Sequence, residues 1–414
     1  MLEAILRQQP HYGRSLFVDM NSFFASVEQE LHPEYRDKPL GVCPFLNDAT
    51  CIIAASIEAK RYGVRTGTNI AKAKQLCPGI KLVSAHSGDY RSYHRKFKDT
   101  LEDTRCQVVV KSIDEALLLA PHDLWDQSQA LAADIRQRIR LIGSQLRCSI
   151  GISSNMFLAK MGSNLKKPDG LVEIKLEDLA DFYADLSLVD IHGISYRLAR
   201  QFRQIGINTP LELYQAPYQL LRAHFGANGE AWYLRLRGYE VDLRPTTRRM
   251  IGHQSTIVPE PAKTINEVTN VASQLTYKAA SRLRTAGLAA KGVVVYVRYS
   301  DRSSWFKVYH GKQPFYDSTS FYEHVERLLS KCPMRLPVRL VSVSAIDLLP
   351  VQQLTANLFD SRQQQERLSA ALDEVNYRFG AGTLKLANQL LGAPIHDAVG
   401  FGNARDATQE LPPS

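Results

Sequence analysis

The segment VVVKSIDEALLLA at residues 108–120 restricts the possible folds of this chain more than any other stretch. Two apolar runs of the kind that form β-strands flank a polar Lys-Ser-Ile-Asp-Glu centre, and this pattern predicts a β-hairpin. Asp114 and Glu115 lie at the break, where a solvated turn can hold two carboxylates but a strand core cannot. The hairpin is therefore expected to present two acids at one end of a sheet.

A second strand with an acid at its end lies near the start of the sequence. Residues 15–18 form a short apolar run that leads into Asp19, and the helix-like stretch NSFFASVEQEL follows. Beyond the hairpin, a helix over 127–141, the strand CSIGISS and the helix FLAKMGSNLKK continue the alternation. Strands and helices in this order predict an α+β sheet domain.

These three acids have a chemical consequence if they meet. Carboxylates at neighbouring sheet ends repel one another in a partly buried site, and without a counter-charge their pKa values rise. A pair of hard dications removes this penalty, and Mg²⁺ prefers one or two carboxylates per ion together with phosphate oxygens. Such a site serves two-metal phosphoryl or nucleotidyl transfer. Three unrelated acids in solvated turns would give the same pattern, so the residues alone leave both interpretations open.

Aromatic and basic residues close to these acids also allow two interpretations each. Phe23 and Phe24 either pack in the core or form an aromatic wall against the sugar of a nucleotide. Lys60 either meets a triphosphate or belongs to a solvated face. Lys160 and Lys167 flank a helix end just before a Pro-Asp-Gly turn. The sequence pattern does not decide between the alternatives.

Length and charge indicate several domains and a polyanionic partner. The 414 residues suffice for roughly two to four domains, and 51 Lys and Arg against 42 Asp and Glu give a net charge of +9. Residues 246–350 hold 15 basic and 7 acidic side chains, so this segment alone carries +8. The surplus favours nucleic acid as a partner, although a basic protein without such a partner is the alternative. Residues 175–241 read as short helices, with Gly193 in the turn of a helix–turn–helix pattern.

Composition also argues against several classes of protein. The six cysteines are scattered and form no CxxC pair, so neither a zinc site nor a disulfide framework is expected. No window approaches the run of about 18 apolar residues that a membrane-spanning helix needs. The first residues lack the apolar region of an export signal, so we expect a cytoplasmic protein with no membrane partner.

Several motifs, taken together, resemble the Y-family translesion DNA polymerases. In chain order they are LFVDMNSFFASVE, EAKRYGVRTG, KSIDEALL, SIGISSNMFLAKMGSNLKKPDG and the turn IHGIS, followed by the weaker pattern IGHQSTI…RLRTAGL…VRLVSVSAI. The resemblance implies an α+β right-hand polymerase with palm, fingers, a helical thumb with a helix-hairpin-helix, and an α/β little finger. It implies a palm in 1–22 and 86–174, fingers in 23–85, a thumb in 175–241, a DNA-binding little finger in 245–350 and a C-terminal tail in 351–414.

The resemblance also implies the catalytic centre. Asp19, Asp114 and Glu115 would be the catalytic carboxylates and would bind two Mg²⁺ ions. The backbone carbonyl of Met20 would complete one metal shell. No second acidic constellation is visible that could form a 3′→5′ exonuclease, so proofreading is not expected.

Further residues match the family's nucleotide and DNA contacts. Phe24 falls at the steric-gate position, which excludes a ribose 2′-OH, and Phe23 would offer its backbone N–H to the triphosphate. Lys60 and Lys167 fall where the family has phosphate-binding cations. Gly193 begins the helix-hairpin-helix, whose backbone N–H groups would hold a DNA phosphate.

Three features depart from the pattern of the polymerase IV type. Asn21 replaces an Asp that follows the first catalytic acid by two residues, as in the catalytic subunit of polymerase V. Ile57 replaces a triphosphate-binding Tyr, and Lys60 replaces an Arg, so the bidentate phosphate contact of Arg is lost. Ser195 replaces the second Gly of the hairpin turn. These departures predict intact chemistry with an altered grip on the nucleotide.

A short segment after the little finger partly matches a clamp-docking peptide. In QQLTANLF at 352–359, Gln353, Leu358 and Phe359 would be the anchors on a sliding clamp. The alternative is a plain linker that touches the little finger. An amphipathic helix is expected farther along the tail.

The sequence thus predicts a template-directed DNA polymerase for error-prone translesion synthesis. Its partners would be primed template DNA, dNTPs, a sliding clamp and accessory mutagenesis proteins of a DNA-damage (SOS) response. The rival interpretation is a catalytically silent DNA-binding scaffold of a mutagenic repair complex, against which the complete set of acids argues. A helix-hairpin-helix DNA-binding protein or nuclease would explain only the thumb and the charge.

Overall fold

The computed structural model describes residues 10–48, 50–243, 249–258, 260–354, 362–380 and 382–385. These residues form two compact units, of which the first extends to residue 243 and the second starts from residue 249. Each unit combines β-sheet with helices, which agrees with the α+β prediction. Within the described ranges, no helix is long and apolar enough to cross a bilayer.

The first unit contains most of the strands and helices. Its strands are β1 (Ser15–Met20), β2 (Leu40–Cys43), β3 (Ala54–Ala55), β4 (Lys81–Ser84), β5 (Gln107–Val110), β6 (Glu115–Leu119), β7 (Cys148–Ser153) and β8 (Leu171–Glu173). Its α-helices are α1 (Phe23–Leu31), α2 (Ile57–Arg61), α3 (Ile70–Leu76), α4 (Ser87–Glu102), α5 (Ser128–Ile142), α6 (Met156–Leu165), α7 (Leu179–Ala184), α8 (Tyr196–Gln204), α9 (Pro210–Gln215), α10 (Tyr218–Phe225) and α11 (Ala227–Arg235).

A five-stranded sheet in the order β5-β6-β1-β7-β8 forms the centre of the first unit. β5 and β6 pair antiparallel, which confirms the predicted hairpin, and β1 pairs antiparallel with both β6 and β7. Every residue of β1 is buried because both faces of the sheet are covered. Leu16 and Val18 belong to the larger core with residues of α1, α4 and α5, whereas Phe17 packs with Ala159 of α6.

Helix α6 lies close to β7 because glycines let the two backbones approach. A Cβ atom added to Gly151 would lie 1.9 Å from the carbonyl oxygen of Ala159 and 2.4 Å from the amide nitrogen of Ser163. Gly162 faces the same contact, since a Cβ on it would lie 3.2 Å from the Cα of Gly151. The close approach brings α6, with Lys160, next to the sheet.

We expect Gly151→Ala to lower the free energy of unfolding by about 3 kcal/mol, because the added methyl group must push α6 away from the sheet. Chemical denaturation followed by circular dichroism measures the change. Gly88→Ala is the matched control, since Gly88 lies in the first turn of α4 and an added Cβ there meets nothing within 4 Å. That control should stabilise the chain by up to about 1 kcal/mol. Equal stability of the two variants would contradict the close approach.

Two further regions complete the first unit. A small sheet in the order β3-β2-β4, which the sequence analysis did not predict, lies with α2 and α3 around a core of its own. Its strands have two to four residues, too short to show a reliable period. After β8, helices α7 to α11 pack around Phe202 and Trp232, which confirms the prediction of short helices there.

The second unit is an antiparallel sheet with helices on one face. Its elements are β9 (Met250–Thr256), α12 (Ile265–Thr285), β10 (Leu288–Tyr299), β11 (Ser304–Phe315), α13 (Ser318–Leu329), β12 (Val338–Pro350) and α14 (Arg362–Phe379). The strand order is β11-β10-β12-β9, and α12 and α13 share a core with β10. Arg284 of α12 donates to both carboxylate oxygens of Asp373 on α14, at 2.6 and 2.9 Å. This mixture of strands and helices agrees with the α/β character that the resemblance implies for this segment.

Candidate active site

The register of the central sheet brings the three acids of the sequence analysis to one end of neighbouring strands. Asp19 lies directly opposite Glu115 in the β1–β6 pair. The backbone N–H of Met20 donates to the carbonyl oxygen of Asp114 at 2.9 Å, so the hairpin turn lies against the end of β1. Asp19 is only 4% exposed. The carboxylates therefore share a partly buried edge of the sheet.

The surroundings of these acids disfavour uncompensated negative charge. Burial raises the pKa of Asp114, and Asp19 raises it further, while the Ser112 hydroxyl, which donates to Asp114 Oδ1 at 2.6 Å, opposes the shift. Burial also raises the pKa of Glu115, and the ammonium of Lys160 lowers it. A cation beside the carboxylates favours their ionised form.

Lys160 provides such a cation, although it was not among the site residues predicted from the sequence. Its Nζ donates to Glu115 Oε1 and lies 3.3 Å from Asp19 Oδ2. The same Nζ makes a cation–π contact with Phe17, whose ring centroid is 4.6 Å away. The side chain is buried although it is charged. A lone Lys inside the apolar stretch FLAKMG was the available signal, because buried lysines are rarely unpaired.

Lys167 and Asn21 form a second set of contacts around Asp19. Lys167 Nζ lies 2.7 Å from Asp19 Oδ2. Asn21 Oδ1 accepts the backbone N–H of Asp169 at 2.6 Å, and Asn21 Nδ2 donates to Ser149 Oγ at 3.1 Å. The amide thus connects β1, β7 and the turn after Lys167, a role for which an Asp would lack the donor.

Lys60, which lies on α2, also faces this edge. Its Nζ donates to Ser22 Oγ at 2.7 Å. The surrounding protein reduces the hydration of the ammonium and lowers the pKa of Lys60, and repulsion from Lys167 lowers it further, although the side chain keeps access to solvent. The two predicted phosphate-binding cations, Lys60 and Lys167, are therefore close enough for each charge to affect the other.

The three carboxylates are ligands of the right chemical type for a divalent metal, but their side chains are not arranged around one metal position. Carboxylate oxygens are the ligands that Mg²⁺ prefers. Across the described ranges, however, no three His, Cys, Asp or Glu side chains are grouped as the ligands of one metal ion. The reason lies in the contacts above, because Lys160 holds Asp19 and Glu115 while Ser112 holds Asp114. A bound metal would replace Lys160 and Ser112 as the partner of these carboxylates.

Phe23 and Phe24 begin α1, directly after the acid-bearing strand. Both rings belong to the large core, so packing accounts for most of their surface. The ring of Phe24 stacks on Tyr90 with centroids 4.3 Å apart and planes inclined by 11°. Ser22 at the N-cap has a φ of 51° and gives α1 no side-chain cap. The first N–H groups of a helix have no intrahelical acceptor, so the start of α1 is suited to an anion.

Gly193 lies in the turn before α8, at a φ of 88° that favours glycine. It lines a surface pocket of about 430 Å³ together with Asn164 and the residues on either side of it. Ser195 accepts the N–H of Leu198 at 3.3 Å and so serves as the N-cap of α8. The replacement of Gly by Ser in this turn thus has a structural use.

The predicted clamp peptide is described only in part. Gln353 ends a short 3₁₀ helix, Val351–Gln353. Leu358 and Phe359 lie outside the described residues. The predicted amphipathic helix corresponds to α14.

His94 of α4 contacts the acidic hairpin and should make the stability of the fold depend on pH. Its Nδ1 lies 2.7 Å from the carbonyl oxygen of Ile113, beside Asp114, and burial lowers the pKa of His94. The unfolded chain therefore binds more protons than the folded chain once pH falls below about 6.5, and stability is lost in that direction. We expect the wild type to lose more stability than His94→Gln between pH 7.5 and 5.5. Parallel denaturation curves at the two pH values test this, and equal losses would exclude His94 as the cause.

Comparisons with known proteins agree along most of the sequence. Residues 18–164 match the family model of the impB/mucB/samB family, and residues 248–358 match that of its C-terminal domain. The DNA polymerase IV of Pelotomaculum thermopropionicum is 32% identical over 390 residues, which cover 92% of this chain and 96% of that protein. The DNA polymerase IV 1 of Halalkalibacterium halodurans is 29% identical over 380 residues, which cover 89% of this chain and 91% of the relative.

Solved structures show the same similarity. A Y-family DNA polymerase chimera of Dbh and Dpo4 superimposes with a TM-score of 0.72 at 25% identity. Dbh DNA polymerase in an insertion ternary complex gives a TM-score of 0.57, also at 25% identity. Each match covers 81% of this chain and 99% of the solved chain.

Proposed function

The chain belongs to the impB/mucB/samB family of Y-family DNA polymerases, and we propose that Asp19, Asp114 and Glu115 are the centre at which it extends a primer. The protein is thus a translesion DNA polymerase, a nucleotidyltransferase with the α+β right-hand architecture. The observation that carries the assignment of the centre is the sheet register, which sets Asp19 opposite Glu115 with Asp114 beside Met20.

Three carboxylates on one edge suit a two-metal mechanism. Asp19, Asp114 and Glu115 would hold two Mg²⁺ ions, with the carbonyl of Met20 as a further ligand. Bound Mg²⁺ would activate the primer 3′-hydroxyl and neutralise charge on the phosphates. The central strand β1 is buried on both faces, so it would hold the backbone of Asp19 in one position throughout the reaction. We propose that the chain has no proofreading site.

The nucleotide would lie over the start of α1. The free N–H groups there, including that of Phe23, suit the triphosphate, and Phe24 would face the sugar. Lys60 and Lys167 are close enough to this end to bind the phosphates. Lys167 would exchange its contact with Asp19 for one with a phosphate oxygen.

Domain roles follow the family pattern. We propose the palm in 1–22 and 86–174, fingers in 23–85, a thumb in 175–241, a DNA-binding little finger in 245–350 and a tail in 351–414. The template-primer would contact the turn at Gly193, and the peptide around Gln353 would dock on a sliding clamp. Accessory mutagenesis proteins are proposed as further partners.

Primer extension by the purified full-length chain tests the proposed function. The reaction contains primed template, dNTPs and Mg²⁺, and parallel reactions contain a chelator or a template with an abasic site. We expect extension that needs the metal, continues past the lesion and leaves a mismatched primer end uncleaved. Normal binding to primed DNA without any extension would instead favour the silent scaffold.

Helix α8 supports the proposed DNA contact of the thumb. Arg197 and Arg200 are exposed and follow the turn at Gly193 by four and seven residues. If each binds one phosphate, Arg197→Ala with Arg200→Ala should reduce the slope of log K against log salt by about 2 for duplex DNA. Fluorescence anisotropy at several salt concentrations measures this slope. Arg138→Ala is the control, because it breaks an exposed pair with Asp134. Equal slopes for the double variant and this control would contradict the contact between α8 and DNA.

A further inference from the structure

Lys160 occupies a position that the proposed mechanism leaves without a role. Its ammonium contacts Asp19 and Glu115 at once, and its side chain is only 10% exposed. A lysine is rarely buried unless it is paired, and here it pairs with two of the three acids that would bind metal. The close packing of α6 on β7 fixes the backbone from which it extends.

Lys160 is the cation that contacts two of the three acids. Its Nζ donates to Glu115 and lies 3.3 Å from Asp19 Oδ2, which Lys167 Nζ also approaches at 2.7 Å. Asp114 instead accepts a hydrogen bond from Ser112. This explains why the carboxylates are not grouped as metal ligands within the described part of the chain. A divalent ion and the ammonium would therefore compete for the same oxygens.

Phe17 makes a further contact with the ammonium, which can persist when Asp19 and Glu115 turn away from Lys160. Its ring centroid lies 4.6 Å from Nζ, and the ring is buried on β1 beneath the site. A cation over an aromatic face keeps part of its stabilisation without a carboxylate. Lys160 can thus release the acids without leaving the site.

We propose that Lys160 is a built-in counter-cation that holds Asp19 and Glu115 in the metal-free protein and is displaced from them when a divalent metal binds. It is a positioning residue, because it acts on the carboxylates and not on the substrate. The inference rests on the proposed function, since it takes Asp19 and Glu115 as metal ligands. Its consequence is that Lys160 weakens metal binding while it stabilises the metal-free site.

Metal affinity without substrate provides the test. Mn²⁺ is titrated into the full-length chain, and free Mn²⁺ is followed by electron paramagnetic resonance. Lys160→Met should bind Mn²⁺ about tenfold more tightly than the wild type, because the positive charge that competes for Asp19 and Glu115 has been removed. Lys160→Arg, which retains the charge, should bind about as weakly as the wild type. Lys74→Met is the matched control, since Lys74 pairs with Asp48 on the exposed surface.

The sign of the change separates this inference from a purely structural role. If Lys160 only maintained the fold, Lys160→Met would bind Mn²⁺ more weakly or equally, and either result overturns the proposal. Lys160→Gln serves as the second uncharged variant if Lys160→Met does not fold, and circular dichroism checks both. Wild-type chain that binds no Mn²⁺ at all would instead overturn the proposed metal site itself. Tight binding in wild type with no gain in either uncharged variant overturns only the inference.

Discussion

Asp114→Asn should lower the rate of primer extension about a thousandfold or more, with little change in folding. Asn retains the shape of the side chain and can still accept the hydrogen bond from Ser112, but it carries no negative charge. The loss removes one of three carboxylates that would hold the catalytic metals, and charge stabilisation is usually the largest contribution to catalysis of this kind. Single-turnover extension of a labelled primer with saturating dNTP measures the rate.

Asp185→Asn is the matched control for this prediction. Asp185 is an exposed acid at the end of α7, so the same substitution there should leave extension unchanged. Binding of primed DNA should be equal in both variants, because Asp114 is not expected to contact the template. Extension by Asp114→Asn within tenfold of the wild type would remove Asp114 from the catalytic centre.

The parts of this site that sequence could predict are those with a local signal. The apolar runs at β1 and at the β5–β6 hairpin predicted strands with acids at their ends, and the family resemblance implied that these acids meet. The register that sets Asp19 opposite Glu115 is a property of the sheet, and no local pattern in the sequence specified it. The small sheet around β2 gave no signal because its strands are shorter than a pattern needs.

Lys160 and Asn21 show why the remainder of the site could not be predicted. Their roles depend on residues far apart in the sequence: Lys160 reaches acids on β1 and β6, and Asn21 connects β7 with the turn after Lys167. From the sequence, Lys160 was only a basic residue near a helix end, and Asn21 was one of the departures that predicted altered nucleotide binding. The contact of α6 with the sheet, which decides the role of Lys160, depends on Gly151 and is visible only in three dimensions.

Phe24→Val should raise the efficiency of ribonucleotide insertion relative to deoxyribonucleotide insertion about a hundredfold. The reason is that the Phe24 ring cannot retreat from a 2′-hydroxyl. It stacks on Tyr90, which is fully buried, and the Tyr90 hydroxyl donates to the buried Glu28 at 2.6 Å. Val is short enough to leave room for the hydroxyl. The kcat/KM ratio for dCTP over CTP opposite a template G measures the selectivity.

The ratio is insensitive to partial loss of folded enzyme, because both substrates are measured on one preparation. This matters since Phe24 belongs to the core, and its truncation will cost stability as well as selectivity. Phe97→Val supplies the matched control, because Phe97 is fully buried in the same core and the same side-chain volume is removed. That variant should keep the wild-type ratio. An equal fall in selectivity in the two variants would attribute discrimination to packing of this core in general. An unchanged ratio in Phe24→Val would exclude Phe24 as the gate.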